Sequence, residues 1–343
     1  MCISIGRVLH RLFFSRLGRN SIKEFRKIYT PIFAMLFVAV SIPASAQDSA
    51  GQAASTQDSS SLRDIAQKSA NPMSDVWMLI TQNDLTFYEG DLVPGTKAFD
   101  TLKFQPVMPI PIMGGDWNLI FRPVVPLVSS PIDEDVGDLF GLRADQIFGD
   151  PNNLSILQDP FSRTNGLGDI ALVSLLGPNR TDGVIWGAGI TQIFPAATED
   201  VLGQGKWQAG PAGVVARMGK EYGGFGIEHF NFGILAQQWW SYAGDDDRES
   251  TNQMDIQYFL NWRMNPTQLV GMTPNIRIDW DADSGKRVAF PVGLGTIGLS
   301  KIGGLPIRWG MELQYYVTQP DIAGPEWNLR FFIAPIISNP FKK

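Results

Sequence analysis

Cysteine is almost missing from this sequence. The chain of 343 residues contains one cysteine, Cys2, and two histidines. Because Cys2 lies in a segment that is predicted to be removed, we expect no thiol in the mature chain, and neither a disulfide nor a cysteine-ligated metal site. A chain without thiols suits an oxidising compartment such as the periplasm.

Long apolar runs are also missing. The apolar run at residues 32–40 has only about 9 residues, too few for a membrane-spanning helix. It follows a region with seven basic residues and precedes Ala44-Ser45-Ala46, which is the layout of a secretory signal peptide. We therefore predict a signal peptide over residues 1–46, cleaved after Ala46, rather than an N-terminal membrane anchor.

Positive charge becomes scarce once the signal peptide is removed. The remaining chain has 21 basic and 33 acidic residues, a formal net charge of −12. Such an acidic protein is not suited to hold nucleic acid. No run long enough for a spanning helix remains, so a membrane location would require a closed barrel, because lipid cannot satisfy an open sheet edge.

What the sequence does contain is apolar residues at every second position over residues 254–337. In one segment, the apolar residues Met254, Ile256, Tyr258, Leu260 and Trp262 alternate mostly with polar ones. Such segments are roughly twice the usual strand length of about 5 to 6 residues, the length that a tilted strand needs to cross a bilayer. We interpret the apolar rows as facing lipid and the polar rows as lining the interior.

The chain divides into a leader, a short helix and a barrel. Residues 47–60 have a composition typical of disorder, and Ser61 is suited to cap a short helix that ends before Asn71-Pro72. This helix either sits at the periplasmic mouth or enters the lumen as a plug. Residues 47–73 thus form a leader with a helix, and residues 74–343 the barrel. The predicted strands are 81–90, 101–112, 117–128, 168–178, 184–195, 206–218, 225–242, 252–263, 269–281, 287–299, 306–318 and 326–337.

The connections between these strands alternate in length. Five connections are short, and the opposite side includes the long segment 129–167 and the acidic segment 243–251. Short periplasmic turns and long external loops are typical of outer-membrane barrels. The turns are predicted at 113–116, 179–183, 219–224, 264–268 and 300–305. A short helix is predicted at 139–146 in the long loop, and the prolines of strand 101–112 favour a bulge there.

Several glycine-containing motifs occur in order along the chain. They are Asn71-Pro72, Trp117-Asn118-Leu119-Ile120-Phe121-Arg122, Gly166-Leu167-Gly168-Asp169, Trp186-Gly187-Ala188-Gly189, Phe194-Pro195-Ala196-Ala197-Thr198 and Leu202-Gly203-Gln204-Gly205-Lys206-Trp207-Gln208-Ala209-Gly210-Pro211. With these motifs the sequence resembles, over residues 62–337, the bacterial outer-membrane barrels labelled neuromedin U-like or phenol-degradation-type transporters. The resemblance implies an outer-membrane location and passage of small hydrophobic or aromatic compounds. The sequence departs from the usual pattern at its C-terminus. Outer-membrane proteins often end on an aromatic residue that the assembly machinery recognises, whereas here Lys342-Lys343 follow Phe341.

Two patterns suggest a cofactor or a metal, and both fail in context. Residues 293–298 match a dinucleotide-binding fingerprint, but no helix can follow them. Asp279, Asp281 and Asp283 resemble the start of a calcium loop, yet Phe290 stands where a bidentate glutamate is needed. We therefore expect no cofactor and no metal ligand, although weak binding of divalent ions to this acidic tip stays open.

Catalysis is a remote alternative. His229 is the one histidine of the predicted mature chain, and the sequence contains no Gly-x-Ser-x-Gly elbow. A membrane-embedded hydrolase would need His229 to meet a serine such as Ser174 or Ser241. We expect no catalytic residues.

Arginines recur on the polar rows of the predicted strands. A lipid-facing arginine costs about 2 to 4 kcal/mol at the midplane, so this placement indicates the lumen. The residues predicted to line it are Arg122, Arg263, Arg277, Arg308, Glu312, Arg330, Phe259, Tyr316 and Phe332, and Arg217 is assigned to the same side. The charges either stiffen the interior through salt bridges or select solutes.

The sequence thus predicts an all-β protein, a transmembrane antiparallel β-barrel of about twelve strands with a short N-terminal helix, in the bacterial outer membrane. The predicted function is a channel or transporter for small hydrophobic or aromatic molecules, with no chemistry performed. The alternative is a structural or adhesive surface barrel without transport. Expected partners are outer-membrane lipid, a small-molecule solute and the outer-membrane assembly machinery.

Overall fold

The computed structural model describes residues 62–341 except 91–92, 140–141, 143–145, 147–148 and 321–322. The predicted signal peptide and the polar leader up to residue 61 lie outside the described residues. Most of the helix predicted at 139–146 also lies outside them.

Fourteen strand segments form one antiparallel sheet. They are β1 (Trp77–Gly90), β2 (Val93–Ile112), β3 (Trp117–Ser130), β4 (Thr164–Leu167), β5 (Ile170–Pro178), β6 (Gly183–Phe194), β7 (Lys206–Met218), β8 (Phe230–Gly244), β9 (Asn252–Asn265), β10 (Gln268–Met272), β11 (Asn275–Asp279), β12 (Val288–Ile302), β13 (Leu305–Thr318) and β14 (Gly324–Ile337). The segments β4 and β5 follow one another along β3, and β10 and β11 follow one another along β9 and β12. Twelve strands therefore cross the membrane, which confirms the predicted fold class.

The first and last strands close the barrel. Strand β1 pairs with β14 from Trp77 opposite Ile337 to Glu89 opposite Gly324. The free edges of the first and last strands are thus paired with each other, and a lipid environment could not satisfy such an edge if it were open.

The two faces of the strands differ as the alternation predicts. On β13 and β14 the outward side chains of Met311 and Ile333 are exposed, whereas the inward side chains of Glu312, Gln314 and Arg330 are buried. An apolar exterior around a closed barrel places the protein in the bacterial outer membrane. None of the helices among the described residues is long and apolar enough to span a membrane.

Two strand starts differ most from the prediction. Strand β2 begins at Val93 rather than 101, because residues 93–100 extend the ladder with β1. Strand β8 begins at Phe230 rather than 225. The residues before it form a wider turn, in which a 3-10 helix (Ile227–His229) lets the backbone amides of Lys220 and Glu221 both donate to the Glu228 carbonyl.

Prolines interrupt the ladder between β2 and β3. The paired positions run up to Phe104 opposite Val125 and resume at Met108 opposite Phe121. Pro106 lies in this gap, where its missing N–H would leave a ladder bond unmade. The interruption is local, and β2 still crosses the whole barrel wall.

The long external loop contains helices that differ from the predicted one. A 3-10 helix covers Glu134–Leu139. After residue 149, the helix α2 (Pro151–Gln158) begins where the Asp150 side chain accepts a hydrogen bond from the Asn152 amide at 2.8 Å. Asp150 followed by Pro151 is a regular helix start that is visible in the sequence.

The N-terminal helix α1 covers residues 62–70 and lies inside the periplasmic end of the barrel. Its apolar face and the following residues pack on inward side chains of the wall, and Met73 is completely buried. We call residues 62–76 the plug. Of the two positions expected for this helix, the structure shows the one in the lumen.

Candidate functional site: a lumen with two chambers

A lower chamber lies directly above the plug. It has a volume of about 190 Å³ and reaches from Ser69 and Pro72 of the plug to the middle of the barrel. Its apolar lining includes Ile80, Val107, Ile120, Leu235, Phe259 and Phe332. The periplasmic half of the lumen is apolar because aliphatic and aromatic residues occupy inward positions there.

An upper chamber of about 410 Å³ adjoins it on the extracellular side. Its lining is more polar and includes Asp84, Lys103, Asp255, Asn275, Arg277 and Gln314. Aromatic side chains lie on its wall as well, among them Tyr88, Trp239 and Tyr316. A molecule that enters from outside therefore meets a charged compartment before an apolar one.

A layer of polar side chains separates the two chambers, and we call it the girdle. It consists of Gln82, Gln105, Arg122, Gln257 and Arg330, which line both chambers. Gln105 donates to Gln82 at 2.8 Å, and Arg122 donates to Gln105 at 2.6 Å. These bonds connect strands β1, β2 and β3 across the lumen wall, so the girdle is a continuous layer there.

A charged network crosses the seam where the barrel closes. The Arg330 Nε donates to Asp84 Oδ1 at 2.7 Å, and Lys103 Nζ lies 2.8 Å from Asp84 Oδ2. Arg330 also donates to the Thr273 carbonyl at 2.7 Å. One carboxylate thus faces two cations.

The other predicted lumen residues of the upper half are held by neutral groups. The Arg277 Nη2 lies 3.4 Å from the Tyr316 hydroxyl. Glu312 accepts hydrogen bonds from the Thr273 amide at 3.0 Å and from its hydroxyl at 2.7 Å, at the break between β10 and β11. Glu312 lines a small cavity beside the lower chamber rather than either chamber.

Two predicted lumen arginines lie near the periplasmic end. The Arg308 guanidinium donates to the Ser69 carbonyl and lines the lower chamber. Arg263 lies outside both chambers, where it donates to the Glu221 carbonyl at 3.1 Å and stacks on Tyr222.

The assignment of Arg217 to the lumen is wrong. On β7 the inward residues are Ala212, Val214 and Ala216, whereas Val215 is 48% exposed on the outer face. Arg217 has the parity of Val215 and lies opposite the exposed Val184. Its position one residue from the end of β7 lets its long side chain reach the headgroup region.

The plug rests on a seat that was not predicted from the sequence. A Cβ added at Gly187 would lie 2.9 Å from Met73 Sδ, and one added at Gly177 would lie 2.8 Å from Met73 Cε. Asn118, itself fully buried, donates to the Met73 carbonyl at 2.9 Å. The signal in the sequence was a pair of glycines at inward positions of neighbouring strands. Two glycines do not indicate which side chain fills the space that they leave.

Three of the glycine motifs that carry the family resemblance, those at 166–169, 194–198 and 202–211, meet at the extracellular rim. The Asp169 carboxylate accepts hydrogen bonds from the Gln204 amide at 2.7 Å and the Ala197 amide at 3.3 Å. A Cβ at Gly203 would lie 2.5 Å from the Ala197 Cβ. These motifs therefore hold the loop at 195–205 against the β4–β5 junction.

His229 belongs to a periplasmic turn. Its Nδ1 accepts a hydrogen bond from the Gly224 amide at 3.1 Å, and its Nε2 lies 3.4 Å from Glu228 and 3.5 Å from Glu221. Since Nδ1 is an acceptor, a neutral ring carries its hydrogen on Nε2, which a metal ligand would need free. These three residues are the one cluster with metal-ligand geometry found in the described part of the chain, and in this tautomer the Nε2–H group faces the two carboxylates.

The serines considered for a hydrolase do not meet this histidine. Ser241 lies near the extracellular end of β8, whereas His229 precedes the opposite end. Ser174 lies on β5 opposite Ile190 of β6, which is 57% exposed on the outer face. The described residues therefore contain no Ser–His pair of the kind that was considered.

Comparisons with known proteins relate the chain to solved barrels. No family model matches it, and no curated protein matches it. The COG4313 outer membrane channel from Pseudomonas putida F1 matches with a TM-score of 0.50 at 13% identity, covering 77% of this chain and 96% of that one. This likeness shows a shared outer-membrane barrel fold.

Two further barrels match more weakly. A Pseudomonas aeruginosa FadL homologue has a TM-score of 0.31 at 8% identity, covering 77% of this chain and 90% of its own. The beta domain of the Bordetella autotransporter BrkA has a TM-score of 0.38 at 10% identity, covering 76% of this chain and 99% of its own.

Proposed function

We propose that this barrel is an outer-membrane channel that admits small hydrophobic or aromatic molecules and performs no chemistry on them. The observation that carries the proposal is the open lower chamber, which is apolar and adjoins a polar compartment on the extracellular side. The proposal also assigns the chain to the neuromedin U-like or phenol-degradation-type transporters, on the motifs quoted above. Membrane lipid, the solute and the assembly machinery are the proposed partners.

The sizes of the chambers suit such solutes. A dry apolar cavity of about 150 Å³ is large enough to bind benzene, and the lower chamber has about 190 Å³. The upper chamber, at about 410 Å³, falls within the range of about 300 to 1,000 Å³ of small-molecule sites. A barrel with a purely structural role gains stability from filling such space with side chains.

Passage to the periplasm requires the plug to move. Met73 in its glycine seat, the Asn118 bond to the Met73 carbonyl and the Arg308 bond to the Ser69 carbonyl hold it on the chamber side. Gln67 donates to the Thr181 and Gly219 carbonyls of the periplasmic turns, and the apolar face of α1 packs on the wall. We infer that the plug is the gate of the channel. A solute in the lower chamber touches Ser69 and Pro72 directly, so its arrival can act on the gate.

Uptake of an aromatic dye tests this function. N-phenyl-1-naphthylamine fluoresces in membranes and is excluded by an intact outer membrane, so expression of the barrel should accelerate its entry into Gram-negative cells. Val107→Trp, which fills the lower chamber, should abolish the acceleration. The matched control Val215→Trp points outward and should retain it.

The competing function gives the opposite result. A structural or adhesive barrel would leave dye entry unchanged although the protein is folded in the membrane. Equal entry with Val107→Trp and Val215→Trp would also contradict passage through this chamber.

A further inference from the structure

The lumen is more positive than the protein around it. Five cations but only two carboxylates line the two chambers, although the whole chain carries a formal net charge of −6. The cations are Lys103, Arg122, Arg277, Arg308 and Arg330, and the carboxylates are Asp84 and Asp255. An excess of positive charge on the low-dielectric wall of a cleft attracts anions.

Arg122 is the cation best placed to hold an anion. It belongs to the girdle and lines both chambers, so its guanidinium lies where the polar compartment meets the apolar one. Its Nη2 donates to Gln105 at 2.6 Å and its Nη1 lies 3.4 Å from Gln257. Both partners are neutral amides, and among the described residues no carboxylate lies within salt-bridge distance of Arg122.

One donor of Arg122 has no acceptor. Its Nε is buried without a hydrogen-bond partner. A buried N–H donor with an unmade bond is costly to the protein alone. A carboxylate is the group that a guanidinium binds best, because its two oxygens match the N–H donors.

The surroundings define the rest of the ligand. Directly below Arg122 lie the apolar side chains of Ile120, Leu235 and Phe259 in the lower chamber. An anion without an apolar part would gain nothing from this wall, and a neutral apolar molecule would leave Arg122 unpaired. We propose that the lower chamber binds a hydrophobic monocarboxylate, with its carboxylate on Arg122 and its hydrocarbon part towards the plug. The proposal names the substrate class of the channel proposed above and rests on it for the route of entry.

Binding of two matched probes tests the inference. Isothermal titration of the full barrel in amphipols would compare 3-phenylpropanoate with 3-phenylpropan-1-ol, which has the same hydrocarbon part and no charge. The carboxylate should bind at least about 10-fold more tightly, and Arg122→Gln should weaken it by about 10- to 100-fold while changing the alcohol little. Arg287→Gln is the control, because it removes the same charge from an external loop where Arg287 donates to the Ala282 carbonyl.

The outcomes separate this inference from the proposed function. Equal affinity of the wild-type barrel for both probes overturns the inference, and this comparison needs no variant. Equal losses for both probes in a folded Arg122→Gln barrel also overturn it. Dye entry without preferential binding of the carboxylate supports the channel function and contradicts the carboxylate site. Arg122-dependent binding without dye entry supports the carboxylate site and contradicts the channel function.

Discussion

Arg330 and Asp84 form an ion pair across the seam at which the barrel closes. They occupy directly opposed positions on β14 and β1, and Arg330 Nε lies 2.7 Å from Asp84 Oδ1. Each side chain is only 7% exposed. The pair therefore joins the first and last strands inside the lumen, next to the backbone ladder that joins them in the wall.

Loss of one partner of this pair should destabilise the barrel. Arg330→Gln leaves the buried Asp84 carboxylate with Lys103 as its remaining cation, and removing one partner of a buried pair costs about 3 to 5 kcal/mol. We expect the lower part of this range because Lys103 remains at 2.8 Å. Urea unfolding in micelles, followed by gel mobility without boiling, measures the change.

The double variant Asp84→Asn/Arg330→Gln should recover part of this loss, because no unpaired charge remains. The exposed pair of Lys220 and Asp182, 3.0 Å apart, provides the control, and Asp182→Asn should cost less than about 1 kcal/mol. Equal effects of Arg330→Gln and Asp182→Asn would contradict a role for the seam pair.

The sequence predicted the faces of the strands well, because alternation with a period of two is a local property. Leu260 and Asn261 lie on opposite faces as their polarity indicates. Pairing across the barrel is not local. Nothing near Asp84 in the sequence shows that its partner lies 246 residues away, and the partner follows from the closure of the sheet.

The candidate site was predictable to a similar extent. Arginines on polar rows indicated a charged lumen, but the sequence did not distinguish Arg330, which has an acidic partner, from Arg122, which has amide partners. That difference depends on which residues face each other between β14 and β1 and between β2 and β3. Likewise, Arg217 was assigned to the lumen because β7 has small apolar residues on both faces, so polarity does not distinguish its inward positions from its outward ones.

Filling the glycine seat should release the plug. Gly187→Val places a branched side chain where a Cβ would already be 2.9 Å from Met73 Sδ, and overpacking of this kind costs about 1 to 3 kcal/mol. Since the clash is with the plug, the plug should leave its seat while the barrel stays closed. Trypsin cleavage after Lys68 in the folded barrel measures the release.

Gly213→Val is the matched control for this variant. A Cβ there would meet only the Gly187 carbonyl, at 3.7 Å, and the position has the outward parity of Val215. Met73→Ala combined with Gly187→Val should restore part of the protection at Lys68. Unchanged cleavage of Gly187→Val would show that the seat does not hold the plug.

The Asp169 carboxylate should control the order of the 195–205 loop. Asp169→Ala removes the charged acceptor of the Gln204 and Ala197 amides, and a hydrogen bond to a charged group contributes about 1.5 to 3 kcal/mol. Amide hydrogen exchange of a peptide covering 195–205 should become about 10-fold faster or more, with no change in barrel peptides. Asp159→Ala, at an exposed position after α2, should have no effect there, and a uniform increase along the chain would instead indicate global destabilisation.

Acid should loosen the long external loop through Asp133. The Ser162 hydroxyl and the Asp135 amide donate to the Asp133 carboxylate, and these bonds lower the pKa of Asp133 below its ordinary 3.8. Asp133 has a lower pKa in the docked loop than in a released loop. Its stabilisation of the docked loop is therefore fully present above about pH 4 and is lost as pH falls through the lowered pKa. A spin label at Leu157→Cys, in a mature chain expected to lack other thiols, should therefore gain mobility only in this acidic range.

Asp133→Asn removes the titrating group, so the label should respond little to acid in that variant. An equal acid response in both proteins would place the sensitive group elsewhere in the loop.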